Sequence, residues 1–163
     1  MAFSFGFLWF EEPDIRAAVQ KSGKEAAVME WILGRKIEEQ LILEFEKAVN
    51  YRFPDAFRRC ALENDGAYAE PDVFDTACTK EQTISCLCSF GKDSRESIWV
   101  FPEFENEELE KRYVIFAGDN FGNHICFDRK DDSVVFIDHE TEEVEFVAPS
   151  FTAFEEMLYE DED

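Results

Sequence analysis

Carboxylate and imidazole side chains with the chemistry of a metal or acid–base site recur between residues 119 and 139. They are Asp119, His124, Asp128, Asp138 and His139. Such groups are the raw material of metal-assisted hydrolysis, which makes a metal-dependent hydrolase one hypothesis. Their spacing matches neither the helical His pair of zinc proteases nor an EF-hand loop. Because Asp side chains also bond the backbone of turns, the pattern favours turn residues over a metal site.

His139 is the sharpest single candidate for chemistry. Asp138 and Glu140 on either side favour its protonated form, so a pH-sensitive contact is one interpretation. A turn histidine bonded to neighbouring backbone is the other, and we prefer it. Residues 118–122 have no following helix and no Lys-Ser/Thr pair, and the chain has no Ser-His-Asp order or Rossmann fingerprint. We therefore predict no enzyme, no metal and no cofactor.

The polar residues lie in turns between predicted strands. Apolar runs rich in Val, Ile and Phe, bounded by Gly, Asn or Asp, are typical of antiparallel strands joined by tight turns. The runs are residues 113–117, 124–128, 133–137 and 144–148. A short helix follows, with Ser150 as N-cap and with Phe151, Phe154 and Leu158 on one face.

Helices are predicted in the first half of the chain. Residues 37–49 place apolar side chains on one helical face and Glu46, among other charged residues, on the other. A second helix opens at Pro54 and ends by Gly66. The remaining predictions are strands over residues 3–9 and 83–88, helical segments after Pro13 and over 24–33, 94–100 and 103–112, and a loop over 67–79.

These elements predict an α+β fold, a mostly antiparallel β-sheet with helices packed on one face. We divide the chain into an N-terminal strand/helix extension (1–36), a domain (37–158) and an acidic tail (159–163). The strand over residues 3–9 pairs either within the chain or with a second copy, which would give a homodimer. The predicted core consists of Phe45, Phe57, Phe116, Phe127, Phe136, Phe151 and Phe154.

The ordered motifs resemble the SUKH superfamily, whose members include bacterial immunity proteins and a yeast cell-wall-synthesis regulator. The C-terminal motifs are a strand ending in Ala, an Asp-x-x-Gly-Asn turn over 119–123, a strand ending in Asp, an Asp-His-Glu turn and a Ser-Phe-x-x-Phe helix. The N-terminal signature departs slightly, with Phe53-Pro54 for Leu-Pro and Asn64-Asp65-Gly66 for Asn-Gly. The resemblance covers residues 37–158 and implies a protein that binds other proteins.

The net charge of the chain indicates which partners it can bind. The chain has 163 residues, with 16 Lys and Arg against 38 Asp and Glu, and a formal net charge of −22. Residues 1–36 hold five charges of each sign, so the whole excess lies after Lys36. Such an excess repels nucleic acid and anionic membranes and attracts basic partners. A hydrophobic content of 45% with 18 Phe argues against disorder.

Cysteine usage and hydropathy indicate a cytoplasmic protein. The five cysteines form no Cys-x-x-Cys pair and are odd in number, which fits a reducing compartment. The apolar run over residues 3–10 has no basic segment before it and meets Glu11 at once, so we do not expect a signal peptide. No run approaches the roughly 20 apolar residues that span a bilayer.

Together, resemblance and charge imply an immunity protein that binds and neutralises a cognate polymorphic toxin, expected to be a basic nuclease. The alternative is an adaptor that recruits several partners. Acidic turns and one loop are predicted to form the toxin-binding surface. Its residues are Asp72, Asp75, Asp119, Asn120, Asn123, Asp138, His139, Glu140, Glu142 and Glu143.

Overall fold

The computed structural model describes residues 28–100 and 104–162, and these form helices packed on an antiparallel sheet. The strand predicted over residues 3–9 and the helix after Pro13 lie outside the described residues. The helices are α1 (Glu39–Val49), α2 (Asp55–Glu63), α3 (Glu107–Arg112) and α4 (Phe151–Met157). The strands are β1 (Glu30–Ile32), β2 (Tyr68–Glu70), β3 (Val73–Phe74), β4 (Gln82–Thr83), β5 (Cys86–Leu87), β6 (Tyr113–Gly118), β7 (His124–Asp128), β8 (Val134–Ile137) and β9 (Val144–Ala148).

Seven of these strands form one sheet in the order β1-β2-β5-β6-β7-β8-β9. Every neighbouring pair is antiparallel, and β3 and β4 form a separate two-stranded sheet. The predicted meander over residues 113–148 is therefore confirmed as β6 to β9. The α+β class is confirmed as well.

Side-chain alternation in β7 and β8 explains why these two strands of the meander are buried on both faces. In β7, Ile125 and Phe127 face the helices, while Cys126 between them faces the opposite side. In β8, Phe136 faces the helices and Val135 the opposite side. This period of two is the strand pattern, and both strands are buried along their full length.

The main core lies between the sheet and helices α1, α2 and α4, and it is dominated by aromatic rings. Phe116 and Phe127 stack with centroids 4.3 Å apart, and Phe57 meets both rings edge-on at 5.3 Å. Phe151, on the first turn of α4, meets Phe57 at 5.2 Å. All seven phenylalanines predicted for the core are buried. The predicted cap is confirmed too, since Ser150 Oγ accepts a hydrogen bond from Ala153 N at 3.1 Å.

The opposite face of the sheet carries a smaller cluster. Its buried residues come from β6, β7 and β8, and Phe104 and Leu109 pack on them from the segment that holds α3. Asn106 caps α3 by accepting a hydrogen bond from Glu108 N at 2.9 Å. Among the described residues, this segment covers only part of the face, and Val144 and Phe146 on β9 are exposed.

Three predictions of local structure are wrong within the described residues. The helix predicted over residues 24–33 is contradicted by β1, whose Trp31 pairs with Ala69 of β2. Trp31 also stacks on Phe151 and donates from Nε1 to Glu155 Oε2 at 2.8 Å, so contacts distant in sequence determine the strand. Residues 67–79, predicted as a loop, contain β2 and β3. Residues 94–100 form turns rather than a helix.

Glu46 is also misplaced by the helical pattern, which assigns it to the solvent face. It is only 8% exposed. Its carboxylate accepts hydrogen bonds from Arg58 Nε at 3.0 Å, from Arg58 Nη2 at 3.2 Å and from Phe53 N at 2.8 Å. The periodicity of α1 cannot reveal this, because Arg58 belongs to α2.

The division at residue 36 stays a prediction, although the sheet itself includes β1 from before that point. Within the described residues, no helix is both long enough and apolar enough to cross a membrane. All five cysteines are free thiols, and Cys78 is exposed.

Candidate functional site

The turn over residues 119–123, between β6 and β7, is held by one carboxylate. Asp119 Oδ1 accepts hydrogen bonds from the N–H groups of Phe121 and Asn123, both at 2.8 Å. Asp119 Oδ2 accepts a third from Asn123 Nδ2 at 2.8 Å. Gly122 adopts φ = +92°, a left-handed conformation that favours glycine. The turn therefore has a single well-determined backbone path.

The turn over residues 138–143, between β8 and β9, is built in the same way. Asp138 Oδ1 accepts hydrogen bonds from Glu140 N at 2.8 Å and from Thr141 N at 3.0 Å. The N–H groups of Thr141 and Glu140 lower the pKa of Asp138, because they stabilise its charged form. Glu142 has φ = +60°, a conformation that a non-glycine residue adopts at some cost.

Asn123 and His139 join the two turns. Asn123 Oδ1 accepts a hydrogen bond from His139 N at 3.0 Å and lies 2.9 Å from His139 Nδ1. A Cβ on Gly122 would lie 3.5 Å from the His139 ring, so the two turns are in close contact. We call residues 119–123 and 138–143 the joined turns. They bring together most of the predicted surface: Asp119, Asn120, Asn123, Asp138, His139, Glu140, Glu142 and Glu143.

The preferred interpretation of His139, a ring bonded to nearby backbone, is only partly right. Its ring contacts an amide side chain from the neighbouring turn, 16 residues earlier. His124 lies at the same end of the sheet, is buried, and meets the Phe104 ring edge-on at 5.4 Å. Burial, and to a smaller extent the nearby His139, lower the pKa of His124. Both effects favour the neutral form of the His124 ring, and the nearby Asp119 opposes them.

Asp72 and Asp75 lie outside the joined turns. Asp72 is exposed and immediately precedes β3, where its carbonyl accepts a hydrogen bond from Ile84 N at 2.9 Å. Asp75 accepts hydrogen bonds from Tyr159 Oη at 2.7 Å and from Glu81 N at 3.0 Å. Burial raises the pKa of Asp75, but these hydrogen bonds and Lys80 outweigh it, so the pKa is lowered. The Asp75 carboxylate therefore stabilises its own loop.

That loop nevertheless reaches the sheet next to the joined turns. Thr79 Oγ1 donates to Glu145 Oε1 at 2.6 Å, and Ala77 N donates to Phe146 O at 3.0 Å. Glu145 and Phe146 belong to β9, which starts directly after residue 143. The loop covers the outer edge of β9 and fixes the position of this strand.

Sequence reasoning missed exposed apolar residues at the same end of the sheet. Phe121 lies in the first of the joined turns with 72% of its surface exposed. Val144 and Phe146, on β9, are 36% and 49% exposed. The sequence did contain one indication of this exposure. Phe121 lies between Asn120 and Gly122 in a predicted turn, so it belongs to no strand or helix whose buried face could cover it.

The carboxylates and histidines that suggested hydrolysis do not form a metal site, and Asp128 is remote from the other four. Asp128 lies at the far end of β7 from His124, about 13 Å away at the usual rise of a strand. There its Oδ2 accepts a hydrogen bond from Arg112 Nη2 at 2.9 Å. Within residues 28–100 and 104–162, no group of three or more His, Cys, Asp or Glu side chains is placed to hold a metal ion. Asp119 and Asp138 instead have structural roles in the turns.

Comparison with known proteins identifies the family. A comparison with curated proteins finds no match. The sequence profile of the SMI1 / KNR4 family (SUKH-1) matches residues 36–157, about three quarters of the chain. The match spans α1 to α4 and includes both joined turns, and it agrees with the antiparallel α+β architecture. The chain therefore belongs to the SMI1 / KNR4 family (SUKH-1).

Proposed function

We propose that this chain is an immunity protein, which binds a cognate toxin domain without covalent chemistry and thereby neutralises it. The family includes toxin immunity proteins, and this membership supports the general class. The proposed partner is a basic nuclease domain from a polymorphic toxin. The proposal requires no catalytic residue, metal or cofactor in this chain.

The observation that carries the proposal is the rigid acidic surface of the joined turns. Glu140 and Glu143 are exposed there, and Glu142 is half-buried. Asp119 and Asp138 hold the two backbones in place, so partner binding requires little further ordering of these turns. A preorganised surface loses less conformational entropy on binding than a flexible one.

The net charge of −22 gives this surface a physical role. A nuclease that binds a phosphate backbone presents Lys and Arg in its cleft. Carboxylates on this chain would be attracted to the same cleft, and such attraction raises association rates by one to three orders of magnitude at low salt. Occupying the cleft excludes the nucleic-acid substrate, and the toxin is inhibited by steric and electrostatic blocking alone.

The decisive experiment is co-expression of the chain with a candidate toxin domain, namely a basic nuclease domain from a polymorphic toxin. We expect the toxin domain alone to stop growth of a bacterial host and co-expression to restore it. The purified complex should weaken as salt rises, since the Debye length falls from about 10 Å at 0.1 M to about 3 Å at 1 M. A triple variant of the joined turns, Glu140→Gln/Glu142→Gln/Glu143→Gln, should protect less well, and Glu44→Gln on α1 is the matched control.

Two outcomes would contradict the proposal. Growth that stays arrested, with no complex recovered, excludes this toxin as the cognate partner and removes the support for immunity. Recovery of several unrelated partners, with affinities that salt does not change, favours the adaptor alternative instead.

A further inference from the structure

We infer that Phe121, Val144 and Phe146 form the apolar anchor of the proposed toxin-binding surface, and that the partner is a basic protein surface with an apolar pocket for an aromatic ring. This inference rests on the proposed function and adds the groups that provide the binding energy. The predicted surface contains only polar and charged residues. The structure places exposed apolar side chains directly beside them.

Phe121 is presented by a backbone that is fixed on both sides. Its own N–H donates to Asp119 Oδ1 at 2.8 Å, and the adjacent Gly122 lies against the His139 ring. The Phe121 ring is thus 72% exposed, and no neighbour within residues 28–100 and 104–162 buries it. An aromatic side chain on a rigid turn contributes a large contact area and has few torsions to immobilise when it binds.

Val144 and Phe146 lie on the other side of the second turn. Both are on the face of the sheet opposite the main core, because Val144 pairs with Ile137 and Phe146 with Val135. Val144 is two strands from His124, or roughly 10 Å at the usual strand spacing. Hydrogen bonding of Phe146 O to Ala77 N fixes this part of β9. The acidic turn therefore lies between two exposed apolar groups.

Charge distinguishes the two partners that could bind this apolar surface, a second copy of the chain and a basic protein. Glu140, Glu142 and Glu143 lie in the turn between the exposed apolar groups, and every copy of the chain carries a net charge of −22. A second copy would bring the same carboxylates against these, and like charges in contact oppose association. A basic partner meets the carboxylates with its own Lys and Arg. Charge complementarity therefore selects a basic protein rather than a homodimer at this surface.

The two kinds of side chain would act at different stages of binding. The carboxylates attract the partner and raise the association rate. The aromatic anchors mainly slow dissociation, because their burial is lost only when the complex separates. The carboxylates of this surface thus mainly determine the association rate, and the aromatic side chains mainly determine the dissociation rate.

The test uses the full chain and the toxin domain described above, purified as a catalytically inactive variant. We expect Phe121→Ala to raise Kd by about 30-fold or more, mostly through faster dissociation. The Phe146→Ala variant should act in the same direction. The triple Gln variant should instead lower the association rate and flatten its salt dependence. Leu43→Ala on α1, another exposed apolar residue, is the matched control and should leave both rate constants unchanged.

The outcomes separate this inference from the proposed function. If the unmodified chain binds the toxin domain and Phe121→Ala and Phe146→Ala bind equally well, the anchor is wrong and the proposed function stands. If the unmodified chain does not bind, both fail together. If Phe121→Ala changes the oligomeric state of the free chain in sedimentation, a second copy occupies the surface and the inference is overturned. An unchanged melting temperature of Phe121→Ala shows that the binding loss is not a folding defect.

Discussion

The two faces of the sheet contain similar residues but use them differently. On the face covered by α1, α2 and α4, aromatic rings pack against one another, as in the stack of Phe116 on Phe127. On the opposite face, the short segment around Phe104 and Leu109 leaves Val144 and Phe146 in solvent. An aromatic ring stabilises the fold only where a second layer covers it. The helix-covered face therefore accounts for stability, and the open end of the other face is available for binding.

The largest expected effect is a difference in stability between truncations of a phenylalanine on each face of the sheet. Phe127 is fully buried among other rings, so Phe127→Ala should lower the free energy of unfolding by about 3–5 kcal/mol. Phe146→Ala, which truncates the same side chain on the open face, should change it by less than about 1 kcal/mol. Urea denaturation of both variants measures the difference. Equal losses would show that the open face is covered in solution.

A second substitution tests the helix-covered side through its buried charge. Arg58→Ala leaves the Glu46 carboxylate buried without its bidentate partner, and breaking such a pair costs about 3 kcal/mol. Arg59 is the neighbouring residue on α2 and is exposed, so Arg59→Ala is the matched control. Thermal unfolding of the two variants should give a clearly lower Tm for Arg58→Ala alone. Similar melting temperatures would mean that water solvates Glu46.

A smaller effect is expected where the joined turns meet. Asn123→Ala removes the acceptor for His139 N and the donor to Asp119 Oδ2, and should cost about 1–2 kcal/mol. Asn120→Ala, in the same turn but exposed, should cost much less. Amide hydrogen exchange of residues 119–123 and 138–143 would report whether both turns loosen together. Loosening of only the first turn would show that the contact between them is weak.

The smallest effect concerns pH. The pKa of Asp138 is lower in the folded chain than in the unfolded one, so its stabilisation is complete above the unfolded value of about 4. It is lost as pH falls through the folded pKa. The stability gap between the unmodified chain and Asp138→Ala should therefore be constant from pH 7 to 5 and shrink below pH 4. Urea midpoints measured across this range test it, and a gap independent of pH would contradict the role of the charge.

Local patterns predicted the parts of the fold that depend on neighbours in sequence. Alternation identified β6 to β9, helical periodicity identified α1, and a Ser before an apolar run identified the cap of α4. Contacts distant in sequence were not predictable in this way. Glu46 is buried because of Arg58, twelve residues later, and β1 is a strand because of Ala69 and its neighbours on β2.

The candidate surface shows the same limit. Its acidic residues follow from composition and turn chemistry, so sequence reasoning found them. Their grouping depends on the Asn123–His139 contact, which joins residues 16 apart. The charge pattern identified the acidic residues but not Phe121. Its proposed role in binding follows from its exposure in the structure. Asp75 was selected for its charge, but it accepts hydrogen bonds from Glu81 in its own loop and from Tyr159 after α4.

The contacts of Trp31 matter for the design of N-terminally truncated versions of this protein. Trp31 lies just before the family match, which starts at residue 36, yet its indole donates to the half-buried Glu155 carboxylate. Burial raises the pKa of Glu155 and the indole opposes that rise, and a fragment starting at residue 36 would lose this hydrogen bond. Such a fragment would also lack β1 and expose the backbone of β2 as a new sheet edge. Unprotected edges recruit other chains, so shortened versions should aggregate more than the longer chain does.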